Sequence, residues 1–536
     1  MNKQAIDAPD EIDVPKQEAE QQGGNSYSAL VRGEWLLYGL SALVAVGLPL
    51  LLIQMQVPFI RLMDEVYHPT VLLQLYIFSA SAVLTLALAF KLWQSQHQPW
   101  QNVLPFVCGV LVAFHVVALM RQHDARSWDY RCYEEAAQAI VHGTNPYGQC
   151  YIYVPTPAQA LAAIEQITAW ITRDKVGGFV SATAIQSIDG GMWDLVFYVY
   201  EATQLLLVIL AFALCYRLAR VLGMKQLYAT GLVTILFLLN NPLLATLKHN
   251  QVNLWVLDLI LLAILGIHRH PVWSGLCVAL GAHIKLYPLA LLLPWALKRR
   301  WRGLFSAVGG MAAIFLLQTN GGRDLTLWQQ FLAFVDAFPR GTFFRDNSLH
   351  SLVYNTLGHL RWLFGDGFAV NEVYVSRMVL IVMGFLGLLY LWRFVQREQL
   401  AMITPDRSTG SPLLKIGLQR GNRSTARNAV MGHVMDALAL ALIASPVVWE
   451  HHYLLAMPIV IWGVAQSRNE RQLWHIALSA FLIFVLPTFD IYPFSYHRLA
   501  GLLLLMATLE PMQLAQSTFD VSRLRLNYHE TGQSTP

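Results

Sequence analysis

HRHPVWSGLCVALGAHIKLYPLALLLPWALKRRWR, residues 268–302, decides the architecture. The apolar part is longer than the roughly 20 residues that cross a bilayer, but Lys285 and Pro288 interrupt its middle. Basic groups flank it on both sides: His268, Arg269 and His270 before it, Lys298, Arg299, Arg300 and Arg302 after it. Basic loops stay on the cytoplasmic side, and one full span would put these two flanks on opposite sides. Two half-length helices, 272–283 and 286–297, put both on one side. The spacing therefore predicts a re-entrant hairpin with Lys285 near mid-depth.

The whole chain fits that reading. Of 536 residues, 55% are hydrophobic and 13% charged, with a mean hydropathy of +0.44. A soluble protein carries roughly 25% charged residues. Such a composition excludes a disordered chain, a disulfide scaffold and an ordinary soluble enzyme. The net charge of +4 sits in a few loops and points to no nucleic-acid partner. Apolar runs long enough to cross fall at 35–53, 70–92, 101–120, 193–215, 226–247 and 252–268. Others fall at 303–319, 372–394, 429–447, 453–467, 473–489 and 495–513. The expected fold is thus all-α and polytopic, with about 12 full transmembrane helices plus the half-helix hairpin.

Charge sets the expected orientation. Residues 1–34 are a polar, disordered tail without the basic start of a cleaved signal. Residues 35–514 form the membrane domain, and 515–536 a second tail. Arg217, Arg220 and Lys225, the basic loop 396–428, and Arg468 with Arg471 all become cytoplasmic if both termini are inside. The loops 54–69, 121–192, 248–251, 320–371, 448–452 and 490–494 then face outward. No internal repeat of the kind found in inverted-repeat transporters is visible.

The outward loops collect the chemistry. Positions 130–141 read as a short amphipathic helix, because Tyr130, Tyr133, Ala137 and Ile140 share one face. Such a helix can lie along a membrane surface. Asp129 stands at its N-terminus, where a carboxylate suits the dipole; the plainer reading is a simple cap. Cys132 and Cys150 share this loop and can pair if it faces an oxidising compartment. Cys108, Cys215 and Cys277 sit in apolar runs and read as packed thiols. Glu450, His451 and His452 follow Trp449 in a second cluster, without metal-ligand spacing. Phosphate contact by one histidine suits them better. Arg340, Arg345, Asn347 and Ser348 suit a phosphate or a sugar, or plain interfacial anchoring. Lys248 to Asn253 form a polar patch between two spans. Inside the spans stand Glu201, Asp258, Lys285 and Asp436. Lys285 with Asp258 or Asp436 reads as a structural ion pair.

Four of these segments, in order, resemble glycosyltransferase family 87 of the GT-C superfamily, whose members include polyprenol-phosphate-mannose-dependent mannosyltransferases. The first is Asp129-Tyr130, Tyr133, then Gly143-Thr144-Asn145-Pro146-Tyr147 and Tyr151-Ile152-Tyr153-Val154-Pro155. The second is Asn250-Gln251-Val252-Asn253 followed by Lys285-Leu286-Tyr287-Pro288. The third is Asn347-Ser348-Leu349, and the last Ser445-Pro446 with Trp449-Glu450-His451-His452. The chain departs from the family where Asn250 replaces the usual glycine before glutamine and Val154 a usual proline. The third segment also lacks its neighbouring glycine.

The resemblance implies an inverting transfer of a sugar, by default mannose, from a polyprenyl-phosphate-sugar donor. The acceptor would be lipid-linked or a glycan, and the site would face the periplasm of a bacterial inner membrane. Asp129 is implied as general base, with Asp64 and Asp124 as alternatives. Tyr133, Tyr147, Gln251, Asn253, Lys248, Lys285, Arg340, Arg345, Asn347, Glu450, His451 and His452 are implied to bind substrate. One base and a neutralised leaving phosphate suffice for this chemistry. No cofactor is expected, and a divalent metal is left open. Two other readings compete: a flippase or transporter of a lipid-linked sugar, and a ligase moving a whole glycan.

Overall fold

The computed structural model describes residues 108–109, 112, 128–148, 150–176, 182–337, 346–365, 371–403, 424–467, 469–489 and 492–509. All fall in one of the chain's two units, formed by Pro58–His68 and His97–Pro536. The expected tails and the spans at 35–53 and 70–92 lie outside the described residues, as do Asp64, Asp124, Arg340 and Arg345.

Regular structure among the described residues is entirely helical. The order is α1 (Trp128–Val141), α2 (Pro155–Val176), α3 (Ala182–Val221), α4 (Gln226–Leu238), α5 (Asn241–Lys248), α6 (Asn253–Gly266) and α7 (Pro271–Ala282). A tight turn, Tyr287–Leu291, leads into α8 (Leu292–Leu297). Then come α9 (Trp301–Gln318), α10 (Thr326–Ala337), α11 (Leu349–Phe364), α12 (Glu372–Ile403) and α13 (Ser424–Ala444). The turn Glu450–Ala456 precedes α14 (Met457–Gln466), α15 (Glu470–Ala480) and α16 (His497–Thr508).

Among the described residues, three helical stretches are long and apolar enough to cross a membrane: Val199–Val221 in α3, Trp301–Gln318, and Glu372–Gln399 in α12. The pair α4–α5 makes a fourth if its 52° bend is one broken span. Twelve full spans are therefore not reached among the described residues. The expected runs 252–268 and 429–447 occur as shorter apolar helices, and 453–467, 473–489 and 495–513 as helices of only a few turns. The cause is local. At the bend, Asn240 accepts a bond from the Leu243 amide and Pro242 opens a new helix, so α4 and α5 cannot fuse.

The hairpin is present. α7 ends at Ala282, and after the Lys285 turn the chain runs on through Tyr287–Leu297. Gly281 lets the second arm close in, since a Cβ there would stand 2.8 Å from Pro288 Cγ. α7 also meets α9 at backbone distance: a Cβ on Gly275 would stand 2.5 Å from the Gly303 carbonyl. Small residues at such crossings are how helices pack in lipid. By contrast, α9 and α12 turn Phe305, Leu317, Leu380, Phe385 and Leu388 outward. Apolar surface of that extent suits lipid.

The in-span charges pair differently from expectation. Asp436 takes both Arg393 and Arg397 at 2.9 Å. Beside them Glu398 holds Lys298 at 2.5 Å and His433 at 2.7 Å. The two arginines lie one turn apart on α12, so both guanidinium forks reach one carboxylate of α13. Lys285 pairs with neither Asp436 nor Asp258. Both carboxylate oxygens of Asp258 are buried without a hydrogen-bond partner among the described residues.

Candidate functional site

α1 supplies the site's first wall. Its Tyr130, Tyr133 and Ala137 face is buried, as the spacing requires, but against protein. Tyr147, Tyr151 and Tyr153 from the following loop, with Phe197 and Tyr200 of α3, complete an aromatic layer. Ring pairs in it stand 4.8–6.2 Å apart, mostly edge-on or tilted, the arrangement aromatic quadrupoles favour. Cys132 and Cys150 are bonded, with Cα atoms 5.4 Å apart, and tie α1 to the tyrosine loop. The Tyr147 hydroxyl donates to the Tyr153 carbonyl, and its ring packs on Phe331 and Phe334 of α10. Tyr147 thus shapes the loop from outside the polar centre.

The second wall is the end of α5. His249 and Asn250 leave the helix, and Asn250 adopts φ +49°. The Gln251 amide then returns to the Thr246 carbonyl at 2.8 Å, and the Asn250 amide to Leu247. This is a left-handed helix stop of the kind glycine usually makes and asparagine tolerates. The departure from the family's glycine is therefore conformationally conservative. The stop aims Gln251 at α1: Tyr133 and Tyr153 hydroxyls both donate to its Oε1, at 3.2 and 2.6 Å. Gln204 of α3 donates to its carbonyl at 3.1 Å.

Asp129 sits in the first turn of α1, with His249 Nδ1 3.9 Å from its Oδ2 and the Gln251 side chain bonded to it. Its side chain stays 15% exposed, so a substrate hydroxyl can reach it. Burial pushes its carboxyl up to about 6, while the Gln251 bond and the Lys285 charge pull it down.

Lys285 comes from the hairpin turn. Its ammonium donates to Asn253 Oδ1 at 2.7 Å, lies 2.9 Å from His452 Nε2, and stands 5.0 Å over the Tyr153 ring. His452 Nδ1 lies 3.1 Å from the Tyr287 hydroxyl, which donates to Ser445 Oγ at 3.1 Å. Ser445 donates in turn to the Val447 carbonyl. Burial first, then the Lys285 charge, holds His452 well below the usual histidine range, so it is neutral. The Trp449 amide also donates to His452 Nδ1, at 3.3 Å, so the ring is held from three sides. His451 stands beside it with ring centres 4.6 Å apart, also held low by burial. Its carbonyl accepts from Asn253 Nδ2 at 3.2 Å.

Asp129, Tyr133, Gln251, Asn253, Lys285, His451 and His452 thus converge. Lys248 is buried in the last turn of α5. Thr488 donates to Glu450, and Arg498 lies 3.8 Å from it. Asn347 is buried and serves by its backbone, its amide on the Val448 carbonyl and its carbonyl accepting from Tyr453. Its neighbour Asp346 accepts from the Val448 and Ser348 amides, fixing the loop before α11 to the segment that carries the histidines. Tyr153, Tyr200, Tyr287, His249 and Asp346 were not expected as site residues. Tyr153 and Tyr287 stand inside quoted motifs, two residues after Tyr151 and Lys285, and that spacing was the available signal.

Comparison with known proteins bears on this arrangement. Residues 191–404 match the family model of Glycosyltransferase family 87. Two curated relatives come from Mycolicibacterium smegmatis. One is a polyprenol-phosphate-mannose-dependent alpha-(1-2)-phosphatidylinositol mannoside mannosyltransferase, 24% identical over 45% of this chain and 47% of its own length. The other is the corresponding phosphatidylinositol pentamannoside enzyme, 28% identical over 45% of this chain and 50% of its own length. The chain spans about half the length of the curated relatives it matches. No solved structure matches. Gln251, Asn253, Lys285 and Asn347 lie within the family match, whereas Asp129, His451 and His452 lie outside it.

Proposed function

We propose that this chain, whose residues 191–404 match the family model of glycosyltransferase family 87, transfers mannose from a polyprenyl-phosphate-mannose donor to a hydroxyl of a lipid-linked or glycan acceptor. The observation that carries the reading is one accessible carboxylate, Asp129, set opposite one buried ammonium, Lys285, across a wall of tyrosines. In the reaction, Asp129 takes the proton of the acceptor hydroxyl as its oxygen attacks the anomeric carbon. The bond from that carbon to the phosphate oxygen breaks, and polyprenyl phosphate leaves. Lys285, held between Asn253 and His452, offers its ammonium to the phosphate as charge builds on it. Attack opposite the leaving group inverts the centre. The aromatic layer supplies ring faces for the sugar.

The topology follows the same reading: a bacterial inner-membrane protein, polytopic with both termini cytoplasmic, and the site on the periplasmic side. The Cys132–Cys150 bond supports that side, because disulfides persist in oxidising compartments.

The test is a transfer assay on purified full-length protein in nanodiscs, with labelled polyprenyl-phosphate-mannose and a cell-envelope lipid extract. Wild type should transfer. Asp129→Asn should lose roughly 10²–10⁴-fold in rate while keeping its thermal melt. Transfer that survives in the variant removes Asp129 as the base.

A further inference from the structure

Gln251 does more than line the pocket. An amide side chain presents a donor on one end and an acceptor on the other, and which end faces a neighbour is normally free. Here it is fixed. Two phenol hydroxyls, Tyr133 and Tyr153, both spend their protons on Oε1. With two donors on the oxygen, the Nε2 end must turn to the remaining neighbour, the Asp129 carboxylate. The backbone leaves no slack either. The left-handed stop at Asn250 and the Gln204 bond to the Gln251 carbonyl hold the main chain from both sides. Gln204 also bonds the Tyr200 hydroxyl, which itself donates to the Asn250 carbonyl. The lock is thus continuous from α3 through the α5 stop to α1.

We propose that Gln251 is a positioning residue for Asp129: its amide, locked donor-end-first by Tyr133 and Tyr153, holds the carboxylate ionised and aimed for proton abstraction. This assigns Gln251 to the base, and not to the substrate where the family resemblance put it. It rests on the reading of Asp129 as the base. The charged or titratable groups facing that carboxylate are His249 at 3.9 Å, Lys285, Tyr133, Tyr153 and Tyr200. Tyr133 and Tyr153 are pushed up by burial and stay neutral. That leaves His249 and Lys285 as the groups able to mimic a Gln251 effect.

The experiment measures transfer rate against pH for full-length protein in nanodiscs. It compares wild type, Asp129→Asn, Gln251→Glu, and the double variant Tyr133→Phe with Tyr153→Phe. Gln251→Glu keeps the shape and places a second acceptor against Asp129. The double variant keeps Gln251 and frees its amide to flip. Both should move the acidic limb of the profile upward by about one pH unit, with the donor KM changed less than twofold. His249→Gln should leave a limb that still moves when combined with Gln251→Glu. A limb that stays at the wild-type position in either Gln251→Glu or the double variant overturns the proposal, as does a rise in KM without a moved limb. A failure of the underlying reading looks different: Asp129→Asn would stay active, or wild type would show no acidic limb.

Discussion

At the residue scale, the distinguishing property of the site is a carboxyl raised to about 6 within reach of solvent. On the proposed reading Asp129 works as the base only when ionised, so its protonation removes activity. We expect kcat/KM to fall tenfold per pH unit below about 6, read from initial rates. His451 and His452, both held low, should add no second limb in that window. Lys285→Ala should lower kcat roughly 10²–10³-fold, as loss of a charge-stabilising donor does, with the melting temperature as the control for folding. Much of this was legible in the sequence: Asp129 by its place before an amphipathic helix, Lys285 by interrupting an apolar run, the histidines by their polar setting. What was not legible is which partners they choose. Lys285 stands 167 residues from His452, and no local pattern encodes that bond. Glu450 is adjacent to the histidines in sequence, yet the turn after Trp449 sends it to Thr488 and Arg498.

At the element scale, the α5 stop and the hairpin carry the geometry. Asn250→Gly should keep activity and stability, whereas Asn250→Val should cost roughly 1–2 kcal/mol, the penalty of a left-handed residue with a Cβ. Thermal unfolding in detergent reads the difference. Gly281→Leu should push the Pro288 arm away and displace Lys285, lowering kcat together with stability. The hairpin could be read from charge alone, since two basic flanks cannot straddle one span. The lengths of the other helices could not. Hydropathy sees the run at 226–247 as one object, and only the Asn240 cap with Pro242 turns it into two helices at 52°. The amphipathic stripe of α1 was also visible, but a stripe does not say whether lipid or a tyrosine layer will cover it.

At the scale of the whole molecule, α12 is a long apolar helix with most of its surface outward, fastened to its neighbours by charge. Arg393 and Arg397 grip Asp436, and Glu398 grips Lys298 and His433. Asp436→Asn leaves two buried guanidinium groups without their counter-ion and should destabilise by roughly 3–5 kcal/mol, measured as a loss of melting temperature in detergent. Replacing all three of Arg393, Arg397 and Asp436 by apolar residues should cost less than the single change. The sequence hid this cluster because Arg397 read as part of the basic loop and Arg393 stood at the end of an apolar run. The wide separation of the site's parts along the chain has a further consequence, in time. Tyr133 leaves the ribosome 118 residues before Gln251, and Lys285 leaves 167 before His452. At roughly 5–20 residues per second, the phenol and the amine of this site wait roughly 6 to 30 seconds for these neighbours. A chain stopped short of His452 therefore carries its lysine without one of the groups that place it.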